Sequence, residues 1–216
     1  MTGLMMKDAL VMRKTLRLYA LFLLFYSGLA VLGVFPMSVA LAMVEVIVMV
    51  LPISSFSYDE AAKWDRYAAV LPVGRTAVVK ARYLFLLLVL LAAAAIGLVG
   101  SILASLLARE DLGELLATLL VSMGLGLMIA DIMLPVVYQL GPERARPWMY
   151  VIIFAPIVVL LGGAKLGLFD GIDLSWLDQL PELAVLGVFA LVPLVPLVGM
   201  LLSCWISCRI YARKEF

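Results

Sequence analysis

The chain has no histidine, which removes imidazole zinc sites, Ser-His-Asp triads and histidine-dependent intramembrane hydrolases in one step. Its two cysteines, Cys204 and Cys208, lie one helical turn apart, a poor geometry for a disulfide within a straight helix. They read as free thiols, with metal binding the lesser alternative and no metal site expected. No GxxxxGK[ST] phosphate-binding loop occurs, so ATP hydrolysis by that route would need another subunit. Charge is scarce too: Asp, Glu, Lys and Arg make up 14% of the residues and balance to +1, which suggests no nucleic-acid partner.

What fills the sequence is apolar. Hydrophobic residues reach 66% and the mean hydropathy is +1.17, leaving too little polar surface to cover a water-soluble globule. A bilayer core of about 30 Å needs about 20 apolar residues per helix. Such runs recur at roughly 18–34, 37–53, 83–107, 115–138, 148–166 and 183–207. The expected fold is therefore all-α and integral to the membrane: six transmembrane helices in one domain over 1–216, with no room for a separate soluble domain. The first run is too long for a cleavable signal, lacks a small-residue cleavage pattern and leads at once into a second span.

Lys and Arg fall on one side of this layout. Fourteen of the sixteen lie in the segment 1–17, the loop 54–82, the loop 139–147 and the C-terminal tail; only Arg109 and Lys165 lie opposite. The positive-inside rule places both termini and the long loop in the cytoplasm. Tyr19, Tyr83, Tyr138, Trp148, Tyr150 and Trp205 fall near expected cytoplasmic span ends, where aromatic belts form.

Three polar segments have content. Residues 1–17 mix Leu4, Met5, Leu10 and Met12 with Lys7, Arg13, Lys14 and Arg17, the pattern of an amphipathic elbow helix on the membrane face. The outer loop 167–182 sets Asp170, Asp173, Asp178 and Glu182 among Phe169, Trp176 and Leu177, which suits a short amphipathic element on the opposite face. In the loop 54–82, Ser57 and Glu60 have capping-box spacing, so a helix is expected to start there. Trp64, Tyr67, Ala68 and Leu71 then form one apolar stripe opposite Lys63 and Arg66, and Pro72 ends it. Such a helix either lies among lipid headgroups or plugs into a groove on a soluble partner.

The same loop carries a resemblance. Phe56-Ser57-Tyr58-Asp59-Glu60, then Lys63-Trp64-Asp65-Arg66-Tyr67, then Leu71-Pro72-Val73-Gly74-Arg75, closing at Lys80-Ala81-Arg82-Tyr83-Leu84, closely resembles the cytoplasmic loop of small bacterial ATP-binding-cassette type-2 exporter permeases. Within that group the chain is similar to the phenol-soluble-modulin exporter permeases. The resemblance implies a permease without an ATPase site of its own. It implies a second permease subunit, identical or paralogous, and separate ATPase subunits that hold ATP and Mg, with no cofactor in this chain. It further implies that Asp59, Glu60, Lys63, Trp64, Asp65, Arg66, Tyr67 and Leu71 form a coupling helix seated on the ATPase. Gly74 stands where many relatives have Ser.

Two carboxylates fall inside expected spans, Glu45 at mid-depth in the second and Asp131 in the fourth. A charge there costs about 2.5–3.5 kcal/mol on insertion scales, so each should face protein, a partner or water. Glu45 reads as a candidate lining the translocation path, Asp131 rather as a structural carboxyl, although both are kept as path candidates. Ala93, Gly97, Ser101 and Ser105 repeat every fourth residue, a ridge for close helix packing within the subunit. The leading function is export of amphipathic or hydrophobic cargo, including cytolytic or antimicrobial peptides. The alternative is the substrate-binding six-helix subunit of a vitamin importer, disfavoured by the amphipathic cytoplasmic loop.

Overall fold

A computed structural model describes residues 2–64, 67–68, 74–167 and 181–213. Its helices are α1 (Thr2–Val11), α2 (Arg13–Val31), α3 (Met37–Ala61), α4 (Arg75–Leu107), α5 (Leu112–Leu140), α6 (Pro142–Lys165) and α7 (Glu182–Arg213). Among the described residues, α2 to α7 are the six helices long and apolar enough to cross a membrane, as the hydrophobic runs require. The outer loop expected at 167–182 lies almost wholly outside the described residues.

The core sits where α3, α4 and α5 meet, with Leu41, Val44, Val48, Leu90, Leu127 and Leu134 fully buried. α5 is the central helix and packs most extensively on α7 and α3. Glycine makes those approaches possible: a Cβ on Gly126 would lie 3.3 Å from the Glu45 Cα, and one on Gly124 2.9 Å from the backbone of Val192. A Cβ on Gly97 would lie 3.1 Å from both Leu41 and Leu119, so the ridge Ala93-Gly97-Ser101 is used inside the subunit. The outward sides of α2, α6 and α7 expose Phe25, Phe154, Val195 and Leu201, apolar surface suited to lipid.

Several boundaries differ from the sequence expectation. The amphipathic N-terminal stretch is not one helix to residue 17; it breaks at the buried Met12, and α2 begins at Arg13. α3 runs without interruption to Ala61, so no helix starts at Ser57. The interior amides there already have helical acceptors, and the capping-box pattern is overridden. α3 ends instead at Ala62, followed by Lys63 with φ of +51°, the left-handed C-terminal turn. α4 begins at Arg75, not near 83, after Gly74 at φ +71°, a conformation that favours glycine.

On the far face the turns are tied by carboxylates. Pro36 at the start of α3 offers no side-chain acceptor, and the Glu110 carboxylate accepts the Met37 amide at 3.1 Å and 3.2 Å. Asp111 caps α5 by accepting from the Gly113 amide at 3.1 Å. The acidic turn between α4 and α5 thus closes two helix starts.

Candidate functional site

At the basic end of the bundle four charged side chains close into a ring. Lys7 Nζ lies 2.7 Å from Asp8 Oδ1 and 2.8 Å from Asp59 Oδ1. Arg82 completes it, with Nε 3.1 Å from Asp8 Oδ2 and Nη2 paired with Asp59 Oδ2. Each carboxylate therefore offers one oxygen to each cation, and the formal charge sums to zero. Asp8, Asp59 and Arg82 are all buried, Arg82 at 4% exposure. Burying such charges is tolerable only when they are mutually paired and hydrogen-bonded.

The ring joins three elements: α1 through Lys7 and Asp8, the end of α3 through Asp59, and the first turns of α4 through Arg82. Ser55 and Asp59, one helical turn apart on α3, both accept from Arg82, which fixes the rotation of that helix end. The Arg82 guanidinium also stands 4.8 Å from the Phe56 ring centre, and Phe56 meets Tyr138 edge-on at 4.6 Å. Tyr138 in turn packs on Tyr211 of α7 at 5.5 Å. Arg75 donates to the Ala212 carbonyl at 3.0 Å, so the start of α4 also holds the end of α7.

Immediately beyond the ring lies the expected coupling segment. Lys7 Nζ sits 4.2 Å from the centre of the Trp64 ring, a cation–π contact that carries the ring's order onto this residue. Trp64 is half-buried against the core and its indole N–H has no partner among the described residues. Ala68 is buried, while Glu60, Lys63 and Tyr67 are exposed, Tyr67 at 64%. Asp65, Arg66 and Leu71 lie outside the described residues. Of the eight expected coupling residues, Asp59 is thus a buried structural partner and not a surface group.

A second polar chain crosses the bundle one residue further along α4. The Tyr83 hydroxyl lies 2.6 Å from Ser203 Oγ and 2.8 Å from Ser207 Oγ, and Ser203 Oγ donates to the Asp131 carbonyl at 2.5 Å. Proton counting orders it. Ser203 has one hydrogen and gives it to the carbonyl, so it accepts from Tyr83, and Tyr83 accepts from Ser207. This ties α4, α7 and α5. Tyr83 and Tyr138, expected at the membrane interface, are both interior residues; Trp148, Tyr150 and Trp205 are exposed.

Glu45 and Asp131 are not brought together into one pair. Glu45 is half-buried on α3, its backbone against Gly126 of α5. The Asp131 carboxylate points toward α7, with Oδ2 3.2 Å from a Cβ built on Gly199. Neither side chain has a hydrogen-bond or ion-pair partner among the described residues. The sequence places Lys7 in the elbow, Tyr83 among the interface aromatics and Arg82 in the motif loop, but it does not join them into a network and does not single out Asp8, Ser203 or Ser207; the usable signal is Asp8, a lone acid in a basic elbow.

A family model described as ABC-2 family transporter protein matches residues 3–212, from the first turn of α1 to the last turn of α7. No curated protein and no solved structure matches. With six apolar helices and a match over nearly its whole length, the chain belongs to the ABC-2 family of transporter proteins and is a multi-pass membrane subunit.

Proposed function

We propose that the chain is the transmembrane subunit of an exporter that moves amphipathic or hydrophobic cargo, peptides included, out of a bacterial cell. Family membership implies an ATP-binding-cassette ATPase subunit as partner, and ATP with Mg would be held there. Two copies of this chain, or this chain and a paralogue, would frame the path, with both termini and the basic end in the cytoplasm.

The observation that carries the coupling part of this reading is the charge ring behind Trp64. A segment that receives a push from an ATPase needs a stiff connection to the spans. Lys7, Asp59 and Arg82 supply one, linking the residues around Trp64 to α1, α3 and α4 at once. Exposed Glu60, Lys63 and Tyr67 would face the ATPase, with Asp65, Arg66 and Leu71 following in the same segment. Glu45 and Asp131, carboxylates inside the spans with no partner among the described residues, are our candidates for groups on the cargo path.

The test is co-purification with the cognate ATPase and cargo-stimulated hydrolysis. Tyr67→Ala removes an exposed ring, and Trp64→Ala removes the ring under Lys7. Losing an aromatic anchor commonly costs about 2 kcal/mol or more of binding. Both variants should still insert, yet retain the ATPase poorly or uncouple its hydrolysis from export. Wild-type stoichiometry and transport in both would sink the coupling assignment.

A further inference from the structure

Two cavities of about 470 Å³ each lie in line between α2 and α4 and share Ile96. The one nearer the basic end is walled by Met6, Leu16, Tyr19, Leu23, Leu88 and Ala92, with almost no polar surface. α1 and, through Ile47, α3 also contribute to its wall, so four elements line it, leaving room for a flexible chain better than for a helix about 10 Å across. On α4 its lining runs from Phe85 to Ile96, about 16 Å of helix, close to half of the ~30 Å hydrocarbon core. The cavity has the depth of one leaflet.

Two arginines precede its lining residues on α2. The α2 stripe Leu16, Ala20 and Leu23 continues one turn toward the basic end at Arg13, with Arg17 beside it. Both arginines are exposed, and neither has an ion-pair partner among the described residues. Lys7, by contrast, is spent on the ring. An apolar slot one leaflet deep below two free guanidinium groups matches an acyl chain below a phosphate. We propose that this cavity binds one acyl chain of an anionic phospholipid from the leaflet on the basic side, its headgroup held by Arg13 and Arg17.

The test uses the full chain without its ATPase, so that its outcome is independent of the coupling reading. The protein is reconstituted in phosphatidylcholine vesicles with a minority of phosphatidylglycerol, extracted, and read by native mass spectrometry for retained lipid. Wild type should keep phosphatidylglycerol well above its share of the vesicle. Arg13→Gln with Arg17→Gln should lower that retention about thirtyfold, the ordinary effect of two cationic side chains at an anionic surface. Ala92→Trp keeps both arginines and fills the slot from an exposed position, so it should lose the bound lipid while folding normally. Leu88→Trp, also exposed, should repeat that loss. Retention in proportion to the vesicle composition, or phosphatidylglycerol kept by both filled variants, overturns the proposal. So does a disulfide-linked dimer of Ala92→Cys in a chain with Cys204→Ser and Cys208→Ser, because the slot is then covered by a second copy.

Discussion

The Lys7 ammonium lies 4.2 Å from the centre of the Trp64 ring while its other contacts, Asp8 and Asp59, are within 2.8 Å. One lysine side chain on α1 thus contacts both the segment after α3 and the charge ring beneath it. Lys7→Met keeps the aliphatic stem but leaves the buried ring with one excess negative charge. We expect the variant to insert, to lose about 1.5 kcal/mol of stability, and to release α1, seen as faster hydrogen exchange over 2–11. Unchanged exchange there would mean that α1 is held by its apolar contacts alone.

Arg82 should be the costliest single change in the basic half of the bundle. Arg82→Met leaves Lys7 alone against two buried carboxylates and takes the donor from Ser55, and breaking a buried ionic cluster on one side costs about 3–5 kcal/mol. Asp59→Asn in the same background should recover part of that loss, because it removes the excess negative charge. A double-mutant cycle by thermal unfolding in detergent measures it: additive effects would show that the pair is not coupled.

The spans were legible because lipid selects for long apolar runs, and each such run lies in a helix of the bundle. The ends were not, since a charged residue in sequence looks the same whether it is solvated or paired. Arg82 read as part of a polar loop and is interior because Asp8 and Asp59 reach it from two other elements. The Ser57–Glu60 spacing is a local signal that loses to the continuation of α3, whose buried face extends through Ile53, Ser55 and Asp59. The Tyr83 chain was illegible for the same reason: its partners are more than a hundred residues away.

That chain predicts an order of effects. Ser203→Ala removes both the acceptor of Tyr83 and the donor to the Asp131 carbonyl, leaving two buried groups unsatisfied. Tyr83→Phe removes one link, and Ser207 can turn its hydroxyl back to its own helix. Losses of about 1–3 kcal/mol per stranded group should therefore rank Ser203→Ala above Tyr83→Phe and Ser207→Ala smallest, by melting temperature. A dominant effect of Ser207→Ala would reverse the proton order assigned above.

Close packing of α5 on α7 depends on Gly124. A Cβ there would fall 2.7 Å from Val192 Cγ1 and 2.9 Å from its backbone, so even alanine must push the helices apart. Gly124→Ala should cost about 1–3 kcal/mol, the usual range for overpacking. Gly162 on α6 is the control, with nothing within 4 Å of an added Cβ. Gly162→Ala should be neutral or slightly stabilising, and equal effects at both sites would remove the packing explanation.

Glu45 separates a path residue from a structural one. Its backbone packs on Gly126, so the α3–α5 contact is made by Cα and by Val48, whichever head group the side chain carries. The carboxylate has no partner among the described residues, so Glu45→Gln breaks no bond among them and should leave the melting temperature nearly unchanged. If the side chain receives cationic groups of the cargo, the same change should depress transport of a cationic amphipathic peptide several-fold and spare a neutral one of equal hydrophobicity. Glu45→Asp, which retains the charge on a shorter stem, should restore part of the difference. Equal transport of both peptides by Glu45→Gln and wild type, measured in vesicles with the ATPase present, would take Glu45 off the path. A fall in melting temperature with no change in selectivity would instead assign it a place in subunit contacts.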